Sequence, residues 1–170
     1  MFQISDVVVY TTYGICRVEN IIDMNFNGNL TKYYVLVPLS EAKTELTIPV
    51  DNPITNARLH ELLSEDEITE IIDEIPYLEP FWIPNDNERK KAFNEIIKKG
   101  NRKDTLQMLR SVKKHQLSLK DKVRKLHACD EQVMNDAEKL IVDEFSYVLK
   151  KDKVEVYNVV NDMILKNLQV

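Results

Sequence analysis

Glycine is nearly missing from this sequence, with three residues in 170. Loops that cradle phosphates need glycines at fixed spacing, so dinucleotide and nucleotide loops are nearly excluded. No GxGxxG, Walker, HExxH or GxSxG motif occurs. There are two cysteines, Cys16 and Cys129, far apart and without CxxC or Cys/His ligand spacing. A disulfide scaffold and a structural zinc site are therefore poor readings, and a reducing cytoplasm is the expected setting. No apolar run approaches the roughly 18–20 residues that span a bilayer. The opening MFQISDVVVY has no charged leader region or cleavage site. His60, His115 and His127 show neither metal spacing nor partners that would orient an imidazole for acid–base work. The expectation is a protein without catalytic residues, metal, cofactor, membrane segment or small-molecule substrate.

What is present is charge, unevenly placed. The net charge of -5 speaks against nucleic acid when taken whole. Residues 1–87 carry 4 Lys/Arg against 15 Asp/Glu, a net of -11, and residues 126–170 carry 5 against 9, a net of -4. Residues 88–125 carry 14 against 4, a net of +10. More than half of the cations thus lie in under a quarter of the chain, which points to an anionic partner for that segment. The plainer reading is a solvated pair of helices whose lysines keep the protein soluble.

The first fifty residues have the pattern of strands. Residues 6–10, 15–22, 32–38 and 44–50 are rich in Val, Ile, Tyr and Thr, and turn-forming residues separate them. Four short strands predict a small antiparallel Tudor/SH3-like β-barrel or half-barrel over 1–52, with a strand edge left to pair with a partner. DNPITN at 51–56 marks the boundary. Residues 56–170 then predict an all-α domain of about five helices, making the chain α+β. Ser64-x-x-Glu67 is a capping box, and Asp152-x-x-Glu155 opens the last helix. Between residues 102 and 116, Met108, Leu109 and Val112 fall on one side. Lys103, Gln107, Arg110 and Lys114 fall on the other at i, i+4, i+7 and i+11, a basic stripe backed by an apolar one. A lysine-rich link, LKDKVRKL at 119–126, leads to a helix near 130–149.

Trp82 is the single tryptophan, set between prolines in PFWIPN and just upstream of ERKK. Two readings stand beside each other. It is a plug at a junction between helices, or it sits at the rim of a basic surface, where it stacks on a base or wedges into a minor groove while Lys and Arg hold phosphates.

The opening MFQISDVVVYTTYGICRVENI resembles the start of the CarD/CdnL family of bacterial transcription regulators. An Asn27-Gly28 turn, YYVL at 33–36 and IPVDN at 48–52 continue the pattern, and FWIPNDNERKKAFNEIIKKGN and LHACDEQVMNDAEKLIVDEFSYVL are similar to the helical half of a Gram-positive branch. The resemblance implies an N-terminal domain that docks on the RNA polymerase β subunit by strand pairing. It further implies a helical domain on upstream promoter DNA, whose Trp wedges at the upstream edge of the bubble and stabilises the open complex without reading sequence. Carried over, Trp82 matches the wedge, Arg89 and Lys90 the basic residues after it, and Leu46, Thr47, Ile48 and Pro49 the polymerase-facing edge. Two polymerase-contacting arginines of the family fall on Met24 and Thr47. A family lysine falls on Glu131, with Arg124 and Lys125 nearby to substitute, and residues 83–88 separate the Trp from the basic run. With Lys103, Arg110 and Lys114, these complete the expected DNA-binding set. The alternative is an adaptor whose barrel edge and basic helices both bind proteins.

Overall fold

The computed structural model describes residues 1–26, 28–120 and 124–168. Two compact units divide the chain, Met1–Leu62 and Leu63–Val170.

The first unit is a five-stranded antiparallel sheet. Its strands are β1 (Val7–Tyr10), β2 (Gly14–Phe26), β3 (Asn29–Pro38), β4 (Leu46–Pro49) and β5 (Leu59–Glu61), in the order β4-β3-β2-β1-β5. Val8, Tyr10, Cys16, Val18, Tyr34, Leu36 and Ile48 alternate inward and form its core. Gly14 and Gly28 adopt φ of 80° and 84° at the β1–β2 and β2–β3 turns, a region that side chains disfavour. Asn27, the other half of the expected turn, lies outside the described residues. A bulge between Val18 and Asn20 shifts the β2–β3 register, so Ile21 rather than Ile22 continues the inward face. Among the described residues β4 and β5 pair on one side only, which leaves two sheet edges.

The sheet runs further than its sequence pattern predicts. Asn52 caps a one-turn helix, α1 (Pro53–Asn56), by accepting from the Ile54 and Thr55 amides, with Pro53 at the first helical position. Leu59, His60 and Glu61 then pair with Tyr10, Val9 and Val8. Three residues carry no periodicity of their own, and this strand exists because β1 offers an edge.

The second unit holds α2 (Glu65–Glu74), a 3-10 turn (Ile75–Tyr77), α3 (Asp86–Lys99), α4 (Arg102–Lys120), α5 (Ala128–Leu149) and α6 (Lys153–Leu165). The expected helical half is thus present. Part of the expected 119–126 link is helical, and residues 121–123 lie outside the described residues. Several boundaries have a local cause. Ser64 and Glu67 form the capping box reciprocally, with the Ser64 amide donating to Glu67 at 2.8 Å and the Glu67 amide to Ser64 Oγ at 3.3 Å. Gly100 ends α3 at φ 63°, and Asp152 caps α6. The Ser64 bonds hold the Glu67 carboxyl below its ordinary value of 4.5. A depressed carboxylate pKa contributes stability above the unfolded value and loses it as pH falls through the folded one, so this cap weakens below pH 4.5. Ser64→Ala should lower stability by about 1 kcal/mol in urea unfolding at pH 7.

α4 is the central helix. Leu106, Met108, Leu109 and Val112 are fully buried in one core with Phe93, Ile141, Phe145, Val160 and Ile164. Thr105, Arg110, Ser111 and Lys113 on its other sides are buried as well. The expected division of this helix into an apolar stripe and a solvated basic stripe is therefore corrected, because neighbours cover both sides of its middle.

Candidate functional site

The middle of the α4 side read as a basic stripe, at Gln107 and Arg110, is occupied by the chain between α2 and α3. Pro76 sits in the 3-10 turn, Pro80 and Pro84 lie in the irregular stretch after it, and the three prolines remove three of this strap's amide donors. Its carbonyls therefore take side-chain donors from α4. Arg110 donates to Pro76 O at 3.1 Å and Leu78 O at 2.8 Å, and Gln107 to Glu79 O at 2.8 Å. The Phe81 amide donates to Ser111 Oγ at 3.0 Å. Arg110 also donates to Met163, Ile164 and Lys166 carbonyls at 3.3, 2.6 and 3.0 Å, satisfying the last turn of α6. Burial lowers its pKa.

Trp82 ends the strap half-buried. Its ring stacks on His115 at 3.8 Å between centroids and 17° between planes, and meets Phe93 edge-on at 6.2 Å. The Arg89 guanidinium lies 4.3 Å from the ring centroid. Arg89 is itself fixed. It donates to both Asp130 carboxylate oxygens at 2.8 and 2.7 Å, to Asp86 at 2.8 Å and to Ile83 O at 2.8 Å. The Asp130 bonds raise the Arg89 pKa, and the Arg89 bond holds the Asp86 carboxyl low.

Arg89 and Arg110 were expected on the DNA-facing surface, and the structure places both inside, each 2% exposed. A guanidinium presents five donors, which lets Arg satisfy several carbonyls or a carboxylate at once where Lys cannot. Arg102, paired with Glu144, and Lys113, paired with Glu138, are likewise taken inward. Lys103 is exposed and bridges to Glu74. Lys90, Lys91, Lys99, Lys114, Arg124 and Lys125 are exposed and carry no ion pair with a described residue. Trp82, Lys114 and Arg89 are therefore brought together around the strap. Asp130, His115 and Ser111 belong to the same assembly and were not foreseen; contacts 30 to 41 residues apart leave no mark in a local pattern.

In the sheet unit, the β3 ladders put Val35 between Asn20 and Thr47, Tyr33 between Ile22 and Pro49, and Thr31 beside Met24. These residues share the face opposite the core. Met24 is 41% exposed, Thr47 is exposed, and Ile22, Tyr33 and Val35 are half-buried. Residues 2–56 match the CarD-like/TRCF RID domain family. The N-terminal sheet unit is thus similar to a RID domain. No curated protein matches the chain. The RID domain family belongs to transcription-related proteins that interact with RNA polymerase β, and it is a protein-interaction rather than a catalytic domain.

Within the RID domain the expected contact residues separate by depth. Ile48 is buried and Leu46 packs on the core, so along this stretch they offer backbone rather than side chain to a partner. Thr47 and Met24 offer side chains on the outer face. Ile22, Tyr33 and Val35 were not singled out, although the unbroken apolar run in YYVLV signals a strand covered on both faces. Among the described residues no helix is long and apolar enough to cross a membrane, and no group of three or more His, Cys, Asp or Glu could hold a metal ion. Burial pushes the Cys16 thiol up to about 12, while Cys129 is partly exposed beside His127. Cys129 should react with a chromogenic disulfide in the native protein and Cys16 only after unfolding, so one thiol titrates before denaturant and two after it.

Proposed function

We propose that this protein is a cytoplasmic, non-enzymatic regulator of transcription initiation that needs no cofactor. Its RID domain binds the RNA polymerase β subunit. Its helical unit contacts promoter DNA near the upstream edge of the transcription bubble and stabilises the open complex. The RID match over residues 2–56 carries this reading, and the unpaired side of β4 supports strand pairing with a partner. The helical unit supports it with exposed Lys90, Lys91, Lys114, Arg124 and Lys125, cations suited to sequence-independent phosphate contact.

Met24→Glu with Thr47→Glu tests the polymerase arm. Both positions are exposed, so unfolding should be unchanged while retention on immobilised polymerase falls at least about fivefold. Retention equal to that of the unaltered protein contradicts this placement. The second reading, an adaptor that binds proteins through both units, is favoured by the inward placement of Arg89, Arg102, Arg110 and Lys113, which thins the basic surface. Salt-dependent retention of the polymerase complex on duplex DNA, weakened by Lys103→Glu with Lys114→Glu, favours the DNA reading over the adaptor.

A further inference from the structure

A cleft of about 340 Å³ opens beside Trp82, within the size range of small-ligand sites. Strap residues 80–82 form one wall, and Ser111, Lys114, His115 and Ser118 of α4 form the other. The walls present the rings of Phe81, Trp82 and His115 and the Pro80 ring. The two serine hydroxyls donate to backbone within α4, Ser111 to Gln107 O at 2.7 Å and Ser118 to His115 O at 2.7 Å. The charged group on the rim is Lys114, exposed and without an ion pair to a described residue.

We infer that this cleft holds one unpaired nucleobase, with the adjoining phosphate on Lys114. The inference rests on the nucleic-acid reading of the helical unit. It differs from a tryptophan driven flat between paired bases, because His115 is stacked on the Trp82 ring and Arg89 lies over it. With the Trp82 faces taken by His115 and Arg89, a base would pack against Pro80, Phe81 and the ring edges, and Lys114 beside them suits its tethered phosphate. Both serine protons are committed inside α4, so the serines offer a base no donor. Lys90 and Lys91, which follow Arg89 on α3, and Arg124 and Lys125, which precede α5, are further exposed cations of the same unit and favour nucleic acid over an apolar peptide.

The single tryptophan makes the test direct. The full chain is titrated with a short oligothymidine, with a blunt duplex of equal length and with polyglutamate, while Trp82 fluorescence is followed. The oligothymidine should quench the emission and the other two should not. Lys114→Glu should weaken the single-strand midpoint by about tenfold. Ser118→Phe, which fills the cleft from α4, should abolish quenching, with native circular dichroism confirming the fold of each variant. Equal quenching by duplex and single strand, quenching by polyglutamate alone, or an unchanged midpoint in both variants overturns the inference. Polymerase retention, measured in parallel on the same preparations, reports on the RID domain. Its loss with quenching intact refutes the polymerase reading and leaves the cleft standing; the converse refutes the cleft.

Discussion

Arg110→Met should destabilise the helical unit by about 3–5 kcal/mol, more than any exposed substitution in it. The side chain is buried and its donors reach Pro76, Leu78, Met163, Ile164 and Lys166 carbonyls. Met fills a similar volume and supplies no donor, so these carbonyls lose their partner. Unsatisfied buried polar groups cost roughly 1–3 kcal/mol each, and those at the end of α6 recover part of that from water. The guanidinium carries its charge at the negative end of the α6 dipole, with the Glu79 carboxylate also acting on it, which offsets its desolvation. Urea unfolding followed by circular dichroism measures the loss. A change under about 1 kcal/mol would mean that the strap and α6 hold without Arg110.

The second large effect is expected at Asp130. Asp130→Asn leaves the Arg89 cation 2% exposed with only one oxygen in place of a bidentate carboxylate, and Asp86, itself largely exposed, is its remaining anion. Breaking one side of a buried ion pair costs about 3–5 kcal/mol, and the surviving Asp86 and Ile83 contacts place this variant near 3 kcal/mol. Because Arg89 lies over Trp82, the same change should alter Trp82 emission before any unfolding. The stability loss and the spectral change are expected together. A stability loss with unaltered native emission would show that Trp82 is held by His115 and Phe93 alone.

The two halves of the molecule differ in how openly the sequence displays them. Strand-forming runs separated by turn residues mark β1 to β4, and Ser64, Gly100 and Asp152 mark helix ends, because these signals act within a few residues. β5 is not marked, since Leu59–Glu61 becomes a strand only against β1. The basic stripe on α4 shows the limit of periodicity. A helix with polar residues at i, i+4, i+7 and i+11 looks amphipathic, yet here the middle two, Gln107 and Arg110, hold a proline-rich strap while Lys103 and Lys114 at the ends face water. Of the two readings open for Trp82, the geometry bears on the packed one, and its contact with nucleic acid is a proposal. Trp82 is packed among Arg89, Phe93 and His115, and it also borders a cleft with an exposed lysine at its rim. The concentration of fourteen cations in residues 88–125 is a feature of composition. Which of them reach solvent was decided by carboxylates and carbonyls elsewhere in the chain, such as Asp130, Glu138, Glu144 and Ile164.

The lifetime of a promoter open complex, followed after addition of a competitor that traps released polymerase, tests the central proposal most directly. The unaltered protein should lengthen that lifetime, and Trp82→Ala should remove most of the gain while polymerase retention stays unchanged. A lifetime unaffected by the protein, or lengthened equally by Trp82→Ala, would contradict the account.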